Sequence, residues 1–380
     1  MPPTLRDESR ELEVLISQLA DHTNERAPTS PGEATVAAFA NGRLRRAGLG
    51  VGTYELRVTP RPGLIYAALG LLGLVSALLT GLAPVVALLL ALNLLIFLLA
   101  DRFATPIPSL GRRRSSQNIV ATRAIEGAAG LAPTTPRWRL VLLAPLDRGL
   151  IQPGLACLAG RSSRAFGLRL LSASLLISGA LGALLSVEWW WLATLGGGLG
   201  SSLLLGTIWL APQPQPQDGN LAALAAVIAA AERLSHLVKV ELWVVAVGAS
   251  SSDPRGVSSL LSRFPFDREQ TLFLAFEQLS GRQLAYLTHE GAGGHADPQL
   301  ANLVAQARQH DPLANAQAQR QSQPSSLAAP LRRHGYRTLT LCGSGTAVPS
   351  VANEPLEAAL VDAATRLITA IVHQLEALPE

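Results

Sequence analysis

The sequence predicts an α/β domain joined to four membrane-spanning helices arranged as two hairpins. Three observations carry this reading. First, short apolar runs alternate with helical stretches, the pattern of an α/β fold. Second, two long apolar blocks, Leu64–Ala100 and Leu168–Leu210, each carry a break near the middle. Third, the stretch KVELWVVAVGASSSDPRG, Lys239 to Gly256, joins a Val-rich run to a small polar loop. That run reads as a strand buried on both faces. In an open α/β sheet, sites sit outside the carboxyl ends of such strands.

The apolar blocks account for the composition. The chain has 380 residues, 48% of them hydrophobic, and a mean hydropathy of +0.28. Each block is far longer than the roughly 20 residues that one membrane helix needs. The first breaks at Thr80-Gly81-Leu82-Ala83-Pro84, the second at Glu188 beside Trp189, Trp190 and Trp191. Each block has too few polar residues to make a solvated face, and the Trp triplet suits an interfacial belt at a hairpin turn. Arg57, Arg61, Arg102, Arg112, Arg113, Arg114, Arg161, Arg164 and Arg169 flank the outer ends of the hairpins, and the turns carry no arginine. The positive-inside rule then places the soluble parts in the cytoplasm and the turns outside, giving a multi-pass protein of the cell membrane. The first 40 residues are charged and lack an apolar signal region, so the first hairpin is expected to carry the insertion signal. The expected organisation is a soluble segment over 1–62, a hairpin over 63–101, a second soluble segment over 102–166, a hairpin over 167–211 and a third soluble segment over 212–380. Both hairpins return the chain to one side, so the three soluble segments can form one domain.

The net charge is +4, with an isoelectric point near 9.6. Lys239 is the only lysine, and this Arg, Ala and Leu usage suggests a GC-rich bacterial genome. No basic patch is interleaved with aromatics, which excludes nucleic acid as an expected partner. Membrane lipids are expected partners, with Arg112–Arg114 contacting anionic headgroups. Cys157 and Cys342 have no metal-ligand spacing, and nothing demands a disulfide between them.

In chain order, Thr4–Leu19 reads as an amphipathic helix, His22–Glu33 as a loop, Ala34–Ala47 as a helix ending at Gly48, and Thr53–Val58 as a strand. After the first hairpin, Gly111–Ser116 reads as a basic loop, and Gln117–Ala121 and Arg139–Ala144 as strands. After the second hairpin, Pro212–Gln217 is a stiff extended linker. Asp218 or Asn220 caps a helix running to about Leu237. The central strand follows, then a helix through Arg263, strands over Thr271–Phe276 and Gln283–Thr288, and helices over Leu300–Arg308 and Ser325–Arg333 joined by a Gln/Ala/Ser-rich segment. Tyr336–Leu341 is a strand, Gly343–Val351 a small-residue loop and Pro355–Leu378 a long amphipathic helix.

Taken in this order, the soluble segments resemble zinc aminopeptidases of the M28 family. Arg26-Ala27-Pro28-Thr29-Ser30-Pro31-Gly32-Glu33 and the helix after it resemble the opening of that family. Ser116–Ala121 resembles its Q-N-V-I-A strand, and VLLAPLD, Val141–Asp147, the strand ending in its H-x-D motif. Asp218-Gly219-Asn220 resembles its D-N-x-S-G helix start, Val244–Gly256 its strand with an E-E loop, and Leu272–Gly281 the strand carrying a later acidic ligand. The resemblance implies a three-layer sandwich with a mixed, mostly parallel sheet, as in zinc exopeptidases.

The family's chemistry uses two zinc ions to activate a water whose proton a Glu accepts. Carried over residue by residue, the first His ligand falls on Pro145, which cannot bind metal, and the carboxylate two residues on is Asp147. The bridging Asp falls on Asp218, the E-E pair on Ser250 and Ser251, and the later acidic ligand on Glu277. The final His should lie in Ala347–Asn353, where there is none. At most Asp218 and Glu277 remain as direct ligands, and no general base remains. No catalytic residue, metal ligand set or cofactor is therefore assigned. The expected function is a membrane protein with a catalytically degenerate peptidase-like domain that binds a peptide, a protein segment or another subunit.

The alternative is an active membrane-anchored zinc aminopeptidase in which His289 or His295 moves into the site. A transporter role has less support, because the hairpins hold almost no ionisable residue beyond Glu188. Simpler readings stand beside these: Asp218 as a helix N-cap, Asp147 as a loop carboxylate, Ser250-Ser251-Ser252 as a polar turn without a nucleophile elbow, and His289, His295 and His310 as surface histidines. Because the second hairpin enters between Asp147 and Asp218, the cleft is expected near the membrane surface.

Overall fold

A computed structural model describes the chain except residues 1–4, 22–25, 61–63, 104–111, 126–135, 152–156, 159, 161–162, 210–212, 215–218, 292–293, 322–324, 346–353 and 379–380. The described chain divides into two units. Unit 1 comprises Met1–Pro60, Arg113–Gly149 and Pro214–Glu380; unit 2 comprises Arg61–Arg112 and Leu150–Gln213.

Unit 1 is built on a mixed sheet. Its strands are β1 (Gly50–Val58), β2 (Arg114–Arg123), β3 (Trp138–Pro145), β6 (Val240–Val247), β7 (Thr271–Phe276), β8 (Gln283–Glu290), β10 (Ala316–Gln321) and β11 (Arg337–Ser344), in the order β1-β2-β6-β3-β7-β11-β8-β10. A short β9 (Gly294–His295) pairs with β8. The central strands β6, β3, β7 and β11 run parallel, whereas β1, β2 and β8 join antiparallel to their inner neighbours. β3, β6 and β7 are almost wholly buried, as their continuous Val, Leu and Ala runs require of strands covered on both faces.

Helices cover the two faces. On one side lie α1 (Leu5–Asp21), α2 (Pro31–Arg46), α7 (Gly219–Arg233), α9 (Pro298–His310) and α11 (Glu354–Ala377), whose apolar faces meet Leu140, Leu142, Val244 and Leu274. On the other, α8 (Arg255–Arg263) and α10 (Ala328–Arg333) cover Val141, Val245 and Phe273. The Ala-rich α7 is buried along nearly its whole length, because small side chains let it press flat on the sheet.

Several elements depart from the sequence expectation. The segment joining Leu300–Arg308 to Ser325–Arg333 contains the strand β10, parallel to β8. Its Ala-Gln-Ala-Gln-Arg-Gln composition has low β-propensity, and pairing at the sheet margin imposes the conformation. Arg114–Ser116, expected in a loop, opens β2, because Val58 and Leu56 of β1 supply its ladder. α7 ends at Arg233 rather than Leu237. Ser325–Leu327, expected in a helix, precedes α10 as a turn. α2 starts at Pro31, with Ser30 as N-cap accepting from the Glu33 N–H. Of the expected linker, Gln213–Pro214 forms a short strand β5 with β4 (Leu150–Ile151), and the rest lies outside the described residues. Cys157 and Cys342 are free.

Unit 2 holds α3 (Leu64–Leu79), α4 (Pro84–Phe103), α5 (Ser163–Leu184) and α6 (Trp190–Gly206), which pack as a ring of four. Close approach is set by small residues, as in lipid-embedded bundles. A Cβ on Gly197 would stand 2.7 Å from Leu176 and 2.9 Å from the Ser172 carbonyl. Ser172 donates to the Gly197 carbonyl at 2.8 Å, and Ser76 to the Ala87 carbonyl at 2.8 Å. A core of Leu69, Leu94, Leu98 and Leu176 is buried, and many other large apolar residues point outward. Among the described residues, Val14, Val238 and Leu313 are the only exposed large hydrophobics outside this unit, which itself exposes Leu82, Val85, Leu89, Ile96, Trp189 and Leu199 among many. Among the described residues, three helices are long and apolar enough to cross a membrane: Pro84–Arg102, Arg164–Leu184 and Ala358–Ala377. The last is α11 of unit 1, which packs on α1, α7 and α9 and whose Glu376 accepts from the Lys239 and Val240 N–H groups. Leu64–Leu79 is apolar but shorter.

Replacing Gly197 by alanine is expected to lower the stability of the helical unit by about 1–3 kcal/mol through overpacking. The same change at Gly167, where nothing lies within 4 Å of a Cβ, is expected to be neutral or slightly stabilising. Thermal unfolding of the full chain in detergent checks both.

Candidate functional site

The sheet order sets the carboxyl ends of β6, β3 and β7 side by side. Three loops start there. β3 ends at Pro145, the Leu146 N–H donates to the Val247 carbonyl at 2.8 Å, and Asp147 follows. β6 gives way at Gly248 to a turn that opens with Ala249 in the left-handed region, φ +50°. β7 leads to Glu277 and to Gln278, also left-handed at φ +51°. Asn220, in the first turn of α7, ties two of these loops. Its amide donates to the Asp147 carbonyl at 2.9 Å, and its side-chain oxygen accepts from the Gln278 N–H at 3.1 Å.

Asp147 is fully buried, and both of its oxygens are taken. Oδ1 accepts from the Ser250 N–H at 2.9 Å and the Ser250 hydroxyl at 2.8 Å. Oδ2 accepts from the Ser251 N–H at 2.9 Å and from the Ser251 hydroxyl. Burial lifts the carboxyl above its usual range, against the pull of these donors. The structure thus brings Asp147, Ser250 and Ser251 into one cluster, with Pro145 at its base. Asp218 and all of Ala347–Asn353 lie outside the described residues.

Glu277 stands at the next strand end and is likewise engaged. The Ser325 hydroxyl donates to it at 2.7 Å, the Ser326 hydroxyl at 3.0 Å, the Leu327 N–H at 2.6 Å and the Ser326 N–H at 3.2 Å. Burial raises its carboxyl too, with Glu290 adding to the rise. Glu290 is buried, forms an ion pair with Arg332 and accepts from the Ser325 N–H at 3.0 Å. The Cys342 thiol is pushed up to about 12 by burial and by these two carboxylates, so it is an inert side chain at neutral pH.

Glu33 joins the cluster from α2, and sequence reasoning gave it no role. Its Oε1 accepts from the Ser116 hydroxyl at 2.7 Å and the Ala249 N–H at 2.8 Å, and its Oε2 from the Thr29 N–H. Burial and the nearby Asp147 charge raise it to about 7. The available signal was Glu33 three residues after Ser30, the spacing of a capping box. Here the side chain reaches past the cap to a distant loop.

The histidines are elsewhere. His289 and His295 face each other across β8 and β9, ring centroids 4.6 Å apart. β8 is antiparallel to β11, so His289 lies level with the start of β11, at the sheet edge opposite to Asp147. Neither therefore enters the cluster. The described residues do not fit a zinc pair: Pro145 has no donor, the serine hydroxyls point at Asp147, and the Asp147 and Glu277 oxygens are filled by protein donors. Among the described residues, no three His, Cys, Asp or Glu side chains are grouped to hold a metal.

No family model and no curated protein matches the sequence. Solved structures do. An aminopeptidase from Aneurinibacillus sp. strain AM-1 is 11% identical, with a TM-score of 0.57 over 98% of this chain and 94% of that one. BSAP, a zinc aminopeptidase from Bacillus subtilis, is 10% identical with a TM-score of 0.57, covering 98% and 95%. The Legionella pneumophila LapA aminopeptidase is 10% identical with a TM-score of 0.52, covering 98% and 70%. The fold resembles that of zinc aminopeptidases. At these identities the likeness concerns fold alone.

Replacing Asn220 by alanine removes the partner of a buried carbonyl and of a loop N–H. It is expected to cost about 2 kcal/mol of stability, within the range for orphaned polar groups. A lower denaturation midpoint in the full chain checks this; an unchanged midpoint counts against the tie.

Proposed function

We propose that this chain is an integral membrane protein whose aminopeptidase-like domain has lost catalysis and serves as a binding module for a peptide, a protein segment or another subunit. The observation that supports it most is the Asp147 carboxylate, closed by the hydroxyls and N–H groups of Ser250 and Ser251. Those two serines stand where the M28 resemblance puts a metal-binding and proton-accepting Glu pair. A hydroxyl that donates to a buried carboxylate can neither ligate zinc strongly nor take a proton from water. Asp218 and Glu277 alone, two carboxylates without imidazole, make a weak zinc site.

The membrane part of the reading is supported by the outward apolar surface of unit 2, an arrangement suited to hydrocarbon rather than water. Lipid is then its partner over that surface. The arginines at the outer ends of the hairpins favour a cytoplasmic location for unit 1.

The active reading is supported by the fold's likeness to zinc aminopeptidases, and zinc content separates the two. Detergent-purified chain, loaded with zinc and freed of excess, is expected to retain no stoichiometric metal and to leave aminoacyl-p-nitroanilides intact. About two zinc ions per chain together with turnover overturns the proposal in favour of metal-assisted hydrolysis. Topology is tested separately in a Cys157→Ser background. Leu82→Cys, in the first hairpin turn, should react with an impermeant maleimide on intact cells, and Arg113→Cys only after lysis. The reverse pattern inverts the proposed orientation.

A further inference from the structure

The loop Gly248–Asp253 anchors an unusual share of its surroundings. Its Ala249 N–H donates to Glu33, and Ser250 and Ser251 donate to Asp147. Its Gly248 N–H donates to Asn118 at 3.1 Å, and its Asp253 accepts from the Thr59 N–H at 3.2 Å and the Arg255 N–H at 3.1 Å. Thr59, Ser116 and Asp147 each lie within three residues of a point where the chain passes between unit 1 and unit 2. Glu33 and Asp147 are 2% and 0% exposed, and they hold adjacent residues of the same loop. Two buried carboxylates gripping one short loop are stable together only while their combined charge is limited.

We propose that Glu33 is a proton-linked latch. Protonated, it holds the Gly248–Asp253 loop against α2 and β2; ionised, it is a charge shut away from water with a second carboxylate, Asp147, beside it, and it loosens that loop. The charged groups around it are few. Asp147 faces it from the end of β3. Arg26, before α2, spends one guanidinium N–H on the Leu146 carbonyl at 2.9 Å. Asp253 and Arg255 pair at 3.9 Å on the loop and α8. β2 presents the neutral Ser116. The direction follows from the raised Glu33 carboxyl, near 7 instead of 4.5. The closed loop keeps a proton that an opened, solvated Glu33 releases above 4.5. Closure is therefore favoured at low pH, weakens as pH rises through the window from 4.5 to 7, and is constant above it. The latch does not depend on whether the domain cleaves peptides.

Hydrogen exchange of the full chain in detergent, corrected for the intrinsic pH dependence of exchange, tests this. Protection of peptides covering 248–253 and 114–118 should fall as pH rises between 5 and 7, Glu33 contributing roughly tenfold per pH unit, the slope of one linked proton, a share that levels off above 7, and the raised Asp147 carboxyl adding to the fall. Glu33→Gln should lower that slope by one proton's worth, leaving only the share due to Asp147. Ser116→Ala, which deletes a donor that favours the ionised carboxyl, should move the levelling-off to higher pH, and it serves where Glu33→Gln does not fold. Protection independent of pH from 5 to 8 in the unaltered chain overturns the proposal, as does an unchanged slope in Glu33→Gln or an unmoved profile in Ser116→Ala.

Discussion

The carboxylate of Asp147 is the constraint on which this site is built. A charge that deep costs several kcal/mol unless it is paired or fully hydrogen-bonded. No cation is bonded to it in the described contacts; instead the next loop supplies two backbone N–H groups and two hydroxyls. That requirement fixes much else. Ser250 and Ser251 must be small and must donate. The turn must bring both N–H groups round to one carboxylate, which puts Ala249 in the left-handed region. Gly248 must lack a side chain, because a Cβ there would strike Ser116, Gln117 and Glu33. The carbonyl of the same Asp147 then orients Asn220, and through it the loop after β7.

Glu277 repeats this logic one strand away. Its oxygens are filled by Ser325, Ser326 and Leu327, so a second loop folds onto a second strand-end carboxylate. In both places an acidic side chain at the carboxyl edge of a parallel sheet, where α/β enzymes bind ligands, accepts hydrogen bonds from its own chain. Lone pairs aimed inward at serines are unavailable to a metal. Pro145 adds a position that no rearrangement could turn into a ligand. Serines at 250 and 251 give Asp147 the donors that its burial requires.

How much of this was legible in the sequence varied with the kind of physics involved. The central strands were plain, because burial on both faces demands continuous apolar runs: β6 and β7 fall on Val240–Val247 and Thr271–Phe276, as their composition indicates. The four apolar helices and their breaks were equally visible, since apolar length is a local property. β10 was not, because Ala-Gln-Ala-Gln-Arg-Gln carries no strand signal and acquires its conformation from β8. The candidate positions Asp147, Ser250 and Ser251 could be named from motif order, but their mutual bonding could not. A hydrogen bond across 103 residues leaves no periodicity to detect. Glu33 was hidden for a further reason: its local pattern has a sufficient local explanation as a helix cap.

The placement of the two apolar insertions follows the same economy of anchoring. A chain that leaves a folded domain and re-enters it must hold the strand ends on either side of each exit, or those ends fray. Thr59 is held by Asp253, Ser116 by Glu33, and Asp147 by Ser250 and Ser251. The holds on Thr59 and Asp147 come from the loop after β6, and the hold on Ser116 reaches the same loop through Glu33. Once its polar groups are committed to holding strand ends, the same residues cannot also present free lone pairs to a ligand. Anchoring the chain where it leaves the sheet and presenting free lone pairs to a ligand are therefore competing uses of one set of hydrogen bonds.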